Sequence, residues 1–146
     1  MSEPISQVRD VHLGRMLLKL ERKFTRLVLD KLAQDGLDDI TLRHFVVIPF
    51  IDEKGIRAVE IARQVGISKQ AVSKLVDELL QKGYVSLKAD PADGRASLVY
   101  MSPKGNDFLR RAIEHTKQVE TSWQAVVGKQ EFKVMKQAMS TLLKTL

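Results

Sequence analysis

The sequence predicts a mostly α-helical fold with one small β-hairpin. Three observations carry that expectation. Apolar residues recur every three or four positions toward both ends of the chain. Two short helical patterns, a few residues apart, occupy its middle. Two segments of period two, YVSLKA and ASLVYM, flank the compact turn DPADGR at residues 90–95.

The 146 residues, 44% hydrophobic and 29% charged, suit one compact soluble domain over residues 1–146. No apolar run approaches the ~18 residues that span a bilayer. The opening MSEPISQVRD has neither the basic nor the apolar region of a signal peptide. A cytoplasmic protein without membrane contact is therefore expected. The absence of cysteine excludes disulfides, thiol switching and Cys-based zinc sites. Lys and Arg number 24 against 18 Asp and Glu, a net charge of +6, and the excess is unevenly placed. Residues 1–62 hold ten basic and ten acidic side chains, while 63–104 and 105–146 each hold seven against four. A chain basic over its second part favours a polyanionic partner such as nucleic acid.

The first helix is expected within residues 8–35, where Leu13, Leu17, Leu20, Phe24, Leu27 and Val28 form the apolar stripe and Gly36 the stop. A second helix is expected after Asp39-Ile40-Thr41, with Thr41 as N-cap, running through Phe45, Val46 and Ile48. Pro49 lacks the N–H that would bond the Phe45 carbonyl, so a kink or early end belongs there. AVEIARQVG then predicts a short helix closed by Gly66. ISKQAVSKLVDELLQKG predicts another, N-capped by Ser68 and closed by Gly83. Two helices joined so tightly form a helix-turn-helix, with Ile61, Ala62, Val65 and Ile67 packing on Ala71, Val72, Leu75, Val76 and Leu79. The opposite face presents Lys69, Gln70, Ser73, Lys74 and Asp77, short or amide groups flanked by lysines, as entry into a DNA major groove requires. The same face also fits a plain solvated helix.

The hairpin after the helix pair favours the groove reading over the plain helix, although the hairpin also fits a plain turn with a surface arginine. Helix-turn-helix plus hairpin is a winged helix, and a basic residue at the hairpin tip reaches the adjacent minor groove; Arg95 occupies that place. Asp90 and Asp93 would repel phosphate unless at least one pairs with a nearby arginine and shapes the loop. The expected DNA-binding set is Ser68, Lys69, Gln70, Ser73, Lys74 and Arg95, within a winged region at residues 40–104. Beyond it, Phe108, Ala112, Thr116, Val119, Trp123 and Val126, then Phe132, Met135, Met139, Leu142 and Leu146, continue apolar helical stripes. With the first helix they exceed what an ~80-residue DNA-binding unit covers, so residues 8–35 and 105–146 are expected to pair two copies as a homodimer.

The succession IARQVGISKQAVSKLVDELLQKGYV, DPADGR and LVYMSPKG resembles the winged-helix core of the MarR family of bacterial transcription regulators, and the order of helices extends the resemblance over nearly the whole chain. The family's wing motif falls on Asp93, Arg95, Leu98, Ser102, Pro103 and Gly105, which implies a wing-stabilising role for Asp93. Serine stands at 102 where threonine is commoner, and Pro49 departs from the family's second helix. The resemblance implies a ligand-responsive repressor on an inverted-repeat operator, with a small-molecule effector between winged region and dimerisation helices, near Arg43, His44, Val47 and Phe108.

Other classes fit less. No nucleophile motif, glycine-rich phosphate loop or HExxH is present, so neither an enzyme nor a cofactor is expected. A zinc- or other metal-responsive regulator would draw on His44 and His115, yet His115 has Arg111 and Val119 at four residues' distance, and no metal site is expected. A winged helix used only for protein contact would make Gln70 and Ser73 dispensable.

Overall fold

The computed structural model describes residue 5 and residues 12–146. The part of the first expected helix at residues 8–11 lies outside the described residues. Helix α1 spans Leu13–Gln34. It buries Val28 and Leu32 and leaves Leu13, Met16, Leu17, Leu18 and Leu20 at the surface. Among the described residues, the buried positions of its amphipathic stripe lie in its second half.

The segment after Gly36 departs from the sequence expectation. Instead of one helix from Thr41 there are two separate three-residue 3-10 turns, His44–Val46 and Ile48–Phe50. Pro49 has no N–H to continue the ladder, and Val46, Val47 and Ile48 are three β-branched residues in a row. Thr41 does not cap through its hydroxyl as expected. Its own N–H donates to His44 Nδ1 at 3.0 Å.

The middle of the chain matches the pattern closely. Helix α2 spans Ala58–Val65 and helix α3 Lys69–Gln81. At the end of α3, the Gly83 N–H donates to the Leu80 carbonyl and the Tyr84 N–H to that of Leu79, with Gly83 at φ 79°. A side chain at Gly83 would strain this left-handed stop. Strands β1, Val85–Asp90, and β2, Asp93–Met101, pair antiparallel from Val85 opposite Met101 to Ala89 opposite Ser97, and the register shifts at the tip between Ala89 and Asp90. The residue Ile56, just before α2, adds a rudimentary third strand. It exchanges N–H to carbonyl bonds of 3.1 and 2.9 Å with Val99, so the wing is stitched to the chain entering the helix pair.

Helix α4, Pro103–Val127, begins under a Ser102 cap whose Oγ accepts the Gly105 N–H at 3.0 Å. A Cβ on Gly105 would lie 2.0 Å from the Tyr84 carbonyl oxygen. Glycine is required there because α4 starts directly against the α3–β1 junction. The buried rings of Phe108 and Tyr84 meet edge to face at 5.3 Å, and Phe45 approaches Phe108 at 6.1 Å. Fully burying one such ring is worth about 1.5–3 kcal/mol, so α4 is anchored to the winged region at this cluster. Farther along, Trp123 packs edge to face on Phe24 of α1 at 5.1 Å. Helix α5, Lys129–Thr145, buries Phe132 and exposes Val134, Met139, Leu142 and Leu143. No helix among the described residues is long and apolar enough to cross a membrane.

Candidate nucleic-acid interface

Helix α3 is seated by Val72, Val76 and Leu79, all buried, and by Ile61 and Ala62 of α2. Its amino end is fixed by Ser68, whose Oγ accepts the Ala71 N–H at 3.1 Å. That satisfies one of the helix's unpaired N–H groups and sets where its first turn points. Lys69, Gln70 and Lys74 are exposed and Ser73 is half-buried along the outer face. Among the described residues, Lys69, Gln70 and Lys74 have no side-chain hydrogen bond or ion pair. Their donors and acceptors are available to a partner. Asp77 ends this face one turn later.

The wing is shaped by its two aspartates in different ways. Asp93 Oδ1 accepts the Arg95 N–H at 3.1 Å, which holds the backbone at the tip and leaves the Arg95 side chain exposed. Asp90 is the buried one, 8% exposed. Its Oδ1 accepts the Ala92 N–H at 2.8 Å, and its Oδ2 accepts from Arg57 Nε at 2.6 Å and pairs with Arg57 Nη2. The Ala92 N–H and then the Arg57 guanidinium hold the Asp90 carboxyl below its ordinary range. Hydrogen bonding to Asp90 in turn raises Arg57. The expectation that an arginine near the turn would neutralise a wing aspartate is met by Arg57, 33 residues before Asp90 in sequence, rather than by Arg95. Sequence spacing carried no signal for this pairing, because only the strand-like contact at Ile56 brings Arg57 to the wing root.

Between α3 and the wing lies a cleft of about 390 Å³ whose walls include Lys69, Ser73, Asp77, Arg57 and Arg95. Three of the predicted DNA-binding residues, Lys69, Ser73 and Arg95, thus line one cleft. Gln70 and Lys74 lie on the exposed outer side of α3, and Ser68 is engaged as its cap.

The residues predicted for an effector pocket differ in exposure. Val47 and Phe108 are 0% exposed and His44 is 1% exposed, all buried, whereas Arg43 lies on the surface. His44 Nδ1 receives the Thr41 N–H, so the ring carries its proton on Nε2 and donates to Glu78 Oε2 at 3.1 Å. Arg43 Nη2 donates to the same oxygen at 3.1 Å. These side chains fasten the 3-10 segment to α3. His115, the other histidine weighed as a metal ligand, pairs instead with Asp35 at 2.7 Å. The two histidines share no partner.

Residues 38–96, covering the helix pair and the wing tip, match a family model described as MarR family. This winged helix belongs to the MarR family. Among curated relatives of this chain, the multiple antibiotic resistance protein MarR of Salmonella typhimurium is 31% identical over 96 residues, 65% of this chain and 65% of that protein. The transcriptional repressor MprA of Escherichia coli is 19% identical over 105 residues, 72% of this chain and 60% of that one. The matches therefore span less than two thirds of either relative. Among solved structures, the transcriptional repressor CouR bound to a 23-mer DNA duplex superposes with a TM-score of 0.73 at 19% identity, over 98% of this chain and 99% of that one. Apo MarR from Escherichia coli gives 0.75 at 22% identity, over 91% and 98%. At such identities the superpositions establish the fold, a MarR-type winged helix flanked by long helices.

Proposed function

We propose that this protein is a homodimeric, sequence-specific DNA-binding repressor and not an enzyme. Helix α3 enters the major groove, with Gln70 and Ser73 toward base edges and Lys69 and Lys74 toward phosphates. The wing carries Arg95 into the adjacent minor groove. The observation that carries this reading is the cleft shared by Lys69, Ser73 and Arg95, since it puts a groove-sized helix and a basic tip on one surface. Relatives named as repressors, and a similar fold bound to duplex DNA, support it.

Apolar residues left exposed on α1 and α5 favour pairing with a second copy. Two-fold symmetry then presents two α3 helices to successive major grooves about one helical turn apart, on an inverted repeat. An effector that prefers a different spacing of the two heads lowers operator affinity by its differential affinity for the two states. Work on chromosomal DNA fits a cytoplasmic protein.

Selection of bound sequences from a random duplex pool tests this reading, with salt titration of the winner against a scrambled duplex as the second step. An enriched inverted repeat is expected. No enrichment, with weak and wholly salt-sensitive binding, would replace specific repression by nonspecific charge contact.

A further inference from the structure

Among the described residues the side chains of Lys69 and Arg95, which face the cleft, are unpaired, but Arg57 is held. Of its five guanidinium N–H groups, that on Nε donates to Asp90 Oδ2 and Nη2 lies against the same oxygen, while the other oxygen of that carboxylate holds the Ala92 N–H of the wing turn. The remaining N–H groups have no partner among the described residues. The pair is also asymmetric in exposure. The Arg57 side chain is 33% exposed and that of Asp90 only 9%, and Arg57 is a wall of the cleft that Lys69 and Arg95 also line. A polyanion in the cleft therefore meets the guanidinium and is shielded from the carboxylate behind it. Of the other nearby carboxylates, Asp77 stays exposed on the α3 wall of the cleft, while two others are engaged. Glu60 turns back to accept the Arg57 backbone N–H at 3.3 Å, and Asp93 holds the Arg95 N–H.

We propose that Arg57 is a phosphate contact pre-positioned by Asp90, so that one ion pair both fixes the wing and presents a cation to the DNA backbone between the two grooves. A guanidinium held along one edge keeps its other edge in a fixed plane, the geometry that suits a phosphate and that lysine cannot reproduce. This rests on the DNA-binding reading above. It adds a residue outside the recognition helix and the wing tip, and it predicts that the two members of one ion pair behave differently on DNA.

The test compares Arg57→Gln, Arg57→Lys and Asp90→Asn with the full-length wild type on the selected operator. The slope of log affinity against log salt is measured, and amide exchange of the wing is measured alongside. On a two-half-site operator Arg57→Gln is expected to reduce the slope by about two and affinity roughly tenfold or more at moderate salt. Asp90→Asn loosens the wing but keeps the slope, because the cation stays. Arg57→Lys also keeps the slope, with a wing as loose as in Asp90→Asn. If Arg57→Gln and Asp90→Asn weaken binding equally with wild-type slopes, Arg57 is only a wing strut and the proposal fails alone. If the wild type shows no salt-dependent duplex binding, both this proposal and the repressor reading fall.

Discussion

Three single residues carry separable consequences. Gln70, exposed and without a partner on the first turn of α3, can reach base edges, so Gln70→Ala should cost about 1–3 kcal/mol and change preference at one base position per half-site. Lys69→Ala should instead weaken all sequences alike and flatten the salt dependence. Profiling both variants on one library of operator variants separates them. A structural counterpart is Gly105, where a methyl group would meet the Tyr84 carbonyl at 2.0 Å. Gly105→Ala should lower unfolding free energy by about 1–3 kcal/mol or more in denaturant titration. Tyr84 itself donates its buried hydroxyl to Asp39. Burial, then that hydrogen bond and the carboxylate charge, push its phenol far above the ordinary value of 10.0. On the other side of the bond, burial opposes ionisation of Asp39, but the Tyr84 hydroxyl and the Lys104 and Lys82 ammoniums outweigh it and hold that carboxyl low. Because the folded state keeps the phenol protonated longer than the unfolded chain, its contribution is complete below pH 10.0 and is lost as pH rises toward the folded value. Stability measured against alkaline pH should fall less steeply in Tyr84→Phe.

Among the elements, the wing and the 3-10 segment behave oppositely with respect to sequence. The wing strands and their turn are local, and their alternation and Asp/Pro/Gly composition were legible. The tie that orients them was not, because Asp90 finds Arg57 through the Ile56 to Val99 bridge. Asp90 is more acidic folded than unfolded, so its contribution is complete above the ordinary carboxylate value of 3.8 and is lost as pH falls through the lowered one. Amide protection at Ala89–Ser97 should therefore persist down through pH 3.8 and disappear only in stronger acid. In Asp90→Asn it should already be weak at neutral pH, without an acid step. The 3-10 segment shows the reverse case. Its apolar spacing predicts a helix, but Pro49 and three consecutive β-branched residues leave only isolated turns. Buried Val47, Ile48 and His44 hold them in place through packing and the Glu78 bond.

For the molecule as a whole, the exposed apolar residues of α1 and α5 are the outstanding feature. Leu142 is 56% and Leu143 83% exposed on a helix that buries one ring. If these faces join two copies, Met139→Glu with Leu142→Glu should give a folded monomer in sedimentation. Operator affinity should then fall by roughly a hundredfold or more, because the second half-site is no longer tethered. An unchanged sedimentation coefficient in the double variant would assign the face to something other than a second copy.

Residue order alone was enough for the helix-turn-helix, its cap at Ser68, its glycine stops and the hairpin. Each depends on interactions within a few residues, where propensity and hydrogen-bond chemistry act directly. Long-range packing settled the rest: which aspartate is buried, that Arg57 meets it, and that Val47, His44 and Phe108 are buried. Those outcomes depend on which distant surfaces come together, and a pattern of residue types does not encode the distance between two side chains 33 positions apart.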